Sequence, residues 1–254
     1  MGVDGYLWLV IFWFIYYSPG EARHNKKEKT FPFVKLIKTE FVSWFTLSKI
    51  FVDPIWYFIT FWIGRYLVDV YKFDLQEEGW LLIMPFLVAD LGNISGGYFT
   101  QYIIKKGMPI PRARKVAAGI FGGIMVLSLV LGPLVIHTPV MALVILSCAS
   151  FGFSAYNSNC MAIPGDVVPS NAIASVWGIA STGAGIGGMI FQSVSGIAIK
   201  SIAALSGYAI AYNTVFIGYG VLGLIGLCIL LYKKGLFQKD EKLHMLAAQY
   251  AENK

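Results

Sequence analysis

The chain has 254 residues, of which 57% are hydrophobic and only 13% are charged. Soluble domains average about 25% charged residues, so this composition excludes an ordinary soluble enzyme and indicates a protein embedded in a bilayer. The formal net charge of +6 does not indicate a nucleic-acid partner, because most of the basic residues lie in links between apolar segments.

The chain opens with a short apolar segment, residues 1–17, that is rich in aromatic side chains. As a helix, roughly 15 residues span only ~22 Å, less than the ~30 Å of bilayer hydrocarbon. The segment lacks the cationic start and the small-residue cleavage site of a signal peptide. We expect it to be the end of a transmembrane helix whose beginning precedes this sequence. Residues 18–40 then form a basic link.

Six long apolar segments follow, and each exceeds the ~20 residues that a helix needs to cross a membrane. They lie at residues 41–68, 79–104, 116–136, 140–163, 172–199 and 212–232. Their apolar runs are continuous rather than alternating, which excludes a transmembrane β-barrel. The residues therefore predict an all-α fold, a polytopic membrane helix bundle.

The basic residues predict how this bundle is oriented. Sixteen of the 20 lysines and arginines lie in the link 18–40, the link after the second span and the tail 233–254. Six crossings place these three segments on one side of the membrane, and the positive-inside rule makes that side cytoplasmic. We predict a multi-pass protein of the bacterial inner membrane with a cytoplasmic C-terminus.

The first full span carries charged and aromatic side chains on one face. At ~100° per residue, Lys49, Asp53 and Trp56 share this face, and Tyr57 lies at its margin. Lys49 and Asp53 are four residues apart and can pair within the helix. Charges at membrane depth indicate a functional site, and a mutually neutralising pair near the helix end is the alternative. Pro54 lacks a backbone donor, so we expect a kink and a gating role there.

The second span places Asp90, Asn93 and Gln101 on one face. Asp90 is the most deeply placed carboxylate of the sequence and is a candidate proton carrier, because burial disfavours its charged form. The alternative is a protonated or hydrogen-bonded packing residue. Gly92 and Gly96 form a Gly-x-x-x-Gly pair, which permits the close approach of another helix.

The fourth and fifth spans carry polar stripes. In the fourth span, Asn157 joins a stripe of serines and indicates a cavity, because its amide can both donate to and accept from a polyol. The fifth span has a small, polar face that includes Ser181. Its segment Gly183–Gly188 matches G-x-G-x-x-G, but the dinucleotide fingerprint needs a preceding strand and an acidic residue ~20 positions on. No acid follows before Asp240, so we attribute the motif to helix packing.

The sequence contains neither a cluster with metal-ligand spacing nor a nucleophile with a nearby base. The three histidines, His24, His137 and His244, lie in predicted links or in the tail. We therefore predict no metal, no cofactor and no enzymatic activity.

Three motifs occur in a family-typical order. They are KIFVDPIWYF at residues 49–58; ADLG at 89–92, followed by KG at 106–107 and ARK at 113–115; and AIPGDVVP at 162–169. Together they resemble hexuronate transporters, in the anion:cation symporter branch of the major facilitator superfamily. The motifs are similar to that family's helix 7, its helix 8 with the following loop, and its helix 10–11 junction.

The resemblance implies a twelve-helix transporter of two six-helix halves, working by alternating access around a midplane site. It implies import of a hexuronate such as glucuronate or galacturonate, together with protons. In this reading, residues 1–17 end helix 6, residues 18–40 form the central cytoplasmic loop, and residues 41–232 form helices 7–12, the C-terminal half. The tail 233–254 is cytoplasmic, and the N-terminal half is the chain's partner. In the family, the main carboxylate-binding arginine and the coupling acids lie in that other half.

For the substrate cavity we predict Lys49 as an aid to anion binding, Trp56 and Tyr57 as stacking residues, and Asp53, Asn157 and Ser181 as polar lining. For coupling or gating we predict the positions Asp90, Pro54, Gln101 and Asp166.

Two of these positions carry a further question. The family usually has an acidic residue where Gln101 stands, which implies an altered conformational latch. Asp166 is a latch or a helix cap, and we favour a structural role. An aldonate or aldarate substrate, sodium coupling and a non-transporting membrane module remain alternatives.

Overall fold

The structure is a computed structural model that describes residues 2–16, 36–74, 76–233, 236–237 and 245. It divides into two compact units, Met1–Thr30 and Phe31–Lys254. The first unit contains helix α1, Gly2–Ile15, along which the rings of Trp8, Phe12 and Tyr16 stack with centroids 5.1 and 4.9 Å apart. Most of the predicted link 18–40 and tail 233–254 lies outside the described residues.

The described residues of the second unit form six long helices. They are α2 (Glu40–Tyr71), α3 (Met84–Lys105), α4 (Ile110–Val135), α5 (Pro139–Val167), α6 (Ser170–Ser206) and α7 (Tyr208–Tyr232), with a short 3₁₀ helix, Gly79–Ile83, before α3. Within the described ranges no strand occurs. The predicted all-α bundle is confirmed.

Five of these helices, α3 to α7, are long and apolar enough to cross a membrane. The sixth, α2, has 32 residues, which is ample length at ~1.5 Å per residue. It differs from the others in carrying Lys49, Asp53, Arg65 and Asp69 along its length. All six helices are therefore long enough for the six predicted spans, and five of them are also apolar enough.

The helices extend beyond the predicted apolar segments. α4 begins at Ile110, so that Arg112, Arg114 and Lys115, which we expected in a link, lie in its first two turns. α6 continues to Ser206 and includes Lys200, also expected in a link. Hydropathy marks the part of a helix that matches hydrocarbon, whereas backbone hydrogen bonding continues into the polar interface.

Contacts between helix ends show that α2 and α7 run antiparallel. Lys233, just after α7, lies 2.6 Å from Glu40 at the start of α2. At the opposite end, the Tyr212 hydroxyl near the start of α7 donates to Asp69 near the end of α2, at 2.9 Å.

Small residues let the helices pack closely. α5 packs against α3 and α4, and α2 packs against α6 and α7. Gly92 and Gly96 of α3 lie directly on the backbone of α5 at Phe151 and Ala155. A Cβ atom on Gly96 would lie 2.5 Å from the carbonyl oxygen of Ala155. The close approach predicted from the Gly-x-x-x-Gly pair is confirmed.

The G-x-G-x-x-G segment lies inside α6, where Gly183, Gly187 and Gly188 contact α2. Gly187 rests on the carbonyl oxygen of Ile50. That carbonyl is four residues before Pro54, which has no N–H to donate to it. The helix nevertheless runs unbroken through Pro54. The motif is a helix-packing surface, as predicted.

Candidate functional site

A cavity of ≈ 340 Å³ opens between α2, α3 and α5. Each helix contributes three residues that lie within five consecutive positions, so they are close together on the helix surface. The lining residues are Asp53, Trp56 and Tyr57 of α2; Ala89, Asp90 and Asn93 of α3; and Phe153, Ser154 and Asn157 of α5. The volume suits one small polar solute.

Lys49 lies behind this lining and is 5% exposed. Its Nζ is 3.0 Å from each carboxylate oxygen of Asp53. It also donates to Oδ1 of Asn157 at 3.3 Å, and it lies 5.4 Å from the ring centroid of Trp177 on α6. The predicted pairing of Lys49 with Asp53 is confirmed, and the tertiary structure adds partners from two other helices.

The depths of the two cavity carboxylates differ from our expectation. Asp90, expected to be the most deeply placed, is exposed to the cavity. The side chain of Asp53 is only 15% exposed. The reason lies in the packing of α3, which buries Ala89 and Gly92 against its neighbours and turns Asp90 about 100° away from Ala89. The more enclosed carboxylate is therefore Asp53.

Aromatic rings form the apolar part of the cavity wall. Trp56 stacks on Phe153, with centroids 5.4 Å apart and planes at 15°, and meets the edge of Phe86 at 5.9 Å. The ring of Tyr57 lies against Gly188 of α6. Flat rings beside amide and carboxylate groups match a sugar, which has apolar C–H faces and hydroxyl edges.

Three other predicted site residues do not join the lining of this cavity. Ser181 is exposed on α6, and Gln101 is exposed near the end of α3. Pro54 is buried within α2, beside Asp53 in the chain. The roles that we predicted for these three residues stay predictions.

Asp166 lies at the ends of α4 and α5, where it pairs with Arg114 at 3.0 Å. The same guanidinium donates to Asn159 at 3.4 Å. Because α5 ends at Val167 and the capping residue is Val168, Asp166 does not cap the helix. Its observed contact is an ion pair between two helices.

Asn159 is a polar residue whose importance our sequence analysis missed. It is fully buried, accepts a hydrogen bond from Thr100 at 2.5 Å, and donates to the carbonyl oxygens of Gly96 and Ala155. Burying an amide without hydrogen bonds is costly, so an asparagine inside an apolar helix requires bonding partners. The position of Asn159 within an apolar segment was therefore the sequence signal that could have identified it.

Long apolar helices around a polar cavity are typical of membrane transport proteins. The sequence profile of the Major Facilitator Superfamily matches residues 1–192. The chain belongs to this superfamily.

Its relatives include transporters of organic anions. The chain is 25% identical to the D-galactonate transporter of Escherichia coli O6:H1 over 174 residues, or 68% of this chain and 38% of the relative. It is 24% identical to the hexuronate transporter of Escherichia coli K12 over 185 residues, or 72% and 40%. It is 23% identical over 228 residues, or 86% and 47%, to a Bacillus subtilis 168 protein named "Probable galactarate/D-glucarate transporter GudP".

The aligned part covers less than half the length of each of these relatives. The resemblance inferred from the sequence motifs is confirmed at the level of a superfamily of transporters that includes organic-anion carriers.

Proposed function

We propose that this chain is the C-terminal half of a proton-coupled importer of sugar acids, and that a hexuronate such as glucuronate or galacturonate binds in the cavity between α2, α3 and α5. The observation that carries this proposal is the cavity itself. It combines a stacked tryptophan with amide and carboxylate groups, and the buried ammonium of Lys49 lies directly behind this lining. The names of the hexuronate and galactonate relatives support it.

Each part of the substrate has a proposed partner. Lys49 assists in binding the carboxylate, Trp56 and Tyr57 contact the ring, and Asn157 and Asp90 bond hydroxyl groups. The N-terminal half supplies the opposite wall, which Ser181 also faces.

The remaining parts of the proposal concern topology. Residues 1–17 end helix 6, and the basic helix ends lie on the cytoplasmic side of a bacterial inner membrane. Access alternates between the two sides of the membrane by movement of one half against the other.

Uptake of radiolabelled glucuronate and galacturonate tests this proposal. The chain is produced together with its N-terminal half in cells that lack their own transporter, with and without an uncoupler. We expect uptake that the uncoupler abolishes. A membrane-inserted, well-expressed protein with no uptake of either sugar acid would rule out hexuronates as substrates.

Lys49→Gln is the informative variant and Lys200→Gln its matched control, because Lys200 is an exposed lysine in α6. Loss of one charge-assisted hydrogen bond costs about 1.5–3 kcal/mol, or roughly 10- to 150-fold in apparent affinity. We expect this loss in Lys49→Gln and none in Lys200→Gln.

A second candidate substrate class is the aldonates and aldarates, which the names of two relatives favour. Competition separates the classes. If unlabelled galactonate or galactarate inhibits uptake at lower concentrations than glucuronate does, the second class is correct.

A further inference from the structure

In this structure the positive charge of the cavity lies behind its negative charges. Asp53, Asp90 and Asn157 form part of the lining, whereas Lys49 does not. Lys49 is 5% exposed, and its ammonium is already bonded to Asp53 and Asn157. Within the described part of the chain, an anion that enters this cavity therefore meets two carboxylates, and the ammonium of Lys49 is already bonded.

A substrate carboxylate cannot take Lys49 from a charged Asp53 without penalty. If it did, Asp53 would stay charged and only 15% exposed. It would have lost its cation and would lie next to the carboxylate of the substrate. Uncompensated buried charges are strongly unfavourable, and like charges in a cavity of low dielectric add to this. A proton on Asp53 removes both penalties, because a neutral carboxyl group needs no cation.

We propose that Asp53 controls access to Lys49: a proton that binds to Asp53 releases Lys49, which then binds the carboxylate of the sugar acid. Lys49 keeps its own charge throughout. One proton and one carboxylate enter the site together, so its net charge is unchanged. This inference rests on the proposed function and assigns one coupled proton to this half of the transporter.

Several groups surround Asp53 on the neighbouring helices. Tyr156 and Cys160 of α5 are close enough to interact with it electrostatically but do not line the cavity. Towards Lys49, α6 presents the ring of Trp177. On α7, the carbonyl of Gly226 accepts a hydrogen bond from Ser48, the residue before Lys49.

Asp90 of α3, on the same cavity, is the competing proton site and was our prediction from the sequence. In the part of the chain that the structure describes, Asp90 takes part in no ion pair. A proton on Asp90 would lower the negative charge of the cavity but would not free Lys49. The two carboxylates therefore predict different behaviour when each is removed.

The test is the pH dependence of glucuronate binding to the purified transporter containing both halves. Each proton taken up with the substrate raises Kd about tenfold per pH unit above the range in which the site is protonated. The slope of log Kd against pH therefore counts these protons. In Asp53→Asn, we expect this slope to fall by one, and we expect tighter binding of glucuronate at high pH. The matched variant Asp90→Asn removes the other carboxylate and should keep the slope, even if affinity changes.

Transport gives a second measurement. Asp53→Asn should retain exchange of labelled for unlabelled glucuronate but lose the accumulation that an uncoupler abolishes. Lys49→Gln provides a variant with a different folding risk. Without its lysine, Asp53 loses the cation that stabilises its charged form, so we expect it to be protonated before the substrate arrives. This variant should therefore also lose one proton from the slope.

The outcomes separate this inference from the proposed function. If Asp53→Asn or Lys49→Gln keeps the wild-type slope of log Kd against pH, Asp53 does not control access to Lys49. The same conclusion follows if only Asp90→Asn lowers the slope. Neither result would contradict the proposed transport of sugar acids. A folded wild-type protein that binds no sugar acid would overturn both.

Discussion

Replacing Gly96 by alanine, with Gly97→Ala as its control, tests how closely α3 and α5 pack. The new Cβ at residue 96 would lie 2.5 Å from the carbonyl oxygen and 2.7 Å from the Cα of Ala155, backbone atoms that cannot rotate away. At Gly97 nothing lies within 4 Å. In Gly96→Ala the helices must therefore separate, which also stretches the 3.2 Å bond from Asn159 to the carbonyl of Gly96.

The size of the effect follows from these contacts. Overpacking costs about 1–3 kcal/mol, and a lost hydrogen bond costs about 1 kcal/mol more. The gain in helix propensity from glycine to alanine is the same in both variants and cancels. A difference of about 2–4 kcal/mol remains. At about 2–4 °C per kcal/mol for a chain of this size, Gly96→Ala should melt roughly 5–15 °C below Gly97→Ala.

A thiol-reactive dye on Cys160 is a suitable assay, because this residue of α5 is 1% exposed in the folded protein. Cys148 and Cys228 are exposed and are first changed to serine, so that the signal reports the opening of α5 alone. If Gly96→Ala melts at the same temperature as Gly97→Ala or above it, the conclusion that α3 and α5 pack closely at Gly96 is wrong.

Three further predictions follow from the ion pair, the tryptophans and the charge of the cavity. Arg114→Asp and Asp166→Arg should each lower the melting temperature. The double variant should recover about 1 kcal/mol of the free energy of unfolding, because the two side chains are only partly exposed (20% and 31%). Absence of this recovery would contradict the ion pair. Trp62→Phe removes the 2.6 Å bond to Gln192 and should lower the free energy of unfolding by about 1–2 kcal/mol, whereas Trp80→Phe, at a residue 70% exposed, should not, as chemical denaturation will show. Galactarate should inhibit glucuronate uptake roughly tenfold more weakly than galactonate, because its second carboxylate enters a cavity that also holds the carboxylate of Asp90. Equal inhibition would show that the second carboxylate has a cation of its own.

The sequence by itself predicted the features that depend on local spacing. Continuous apolar runs predicted the long helices, since each backbone group in a bilayer must be bonded within its own segment. The four-residue separation of Lys49 and Asp53 predicted their ion pair, and the spacing of Gly92 and Gly96 predicted a close helix contact.

Only the tertiary structure decided which helix each polar face meets. It brought Asn157 and Trp177, more than 100 residues away in the chain, to Lys49. It also left Asp90 exposed while enclosing Asp53, contrary to our expectation. Helical periodicity determines which residues share a face, but the partner of that face depends on how the shapes of distant helices fit together, and no spacing within a single segment contains that information.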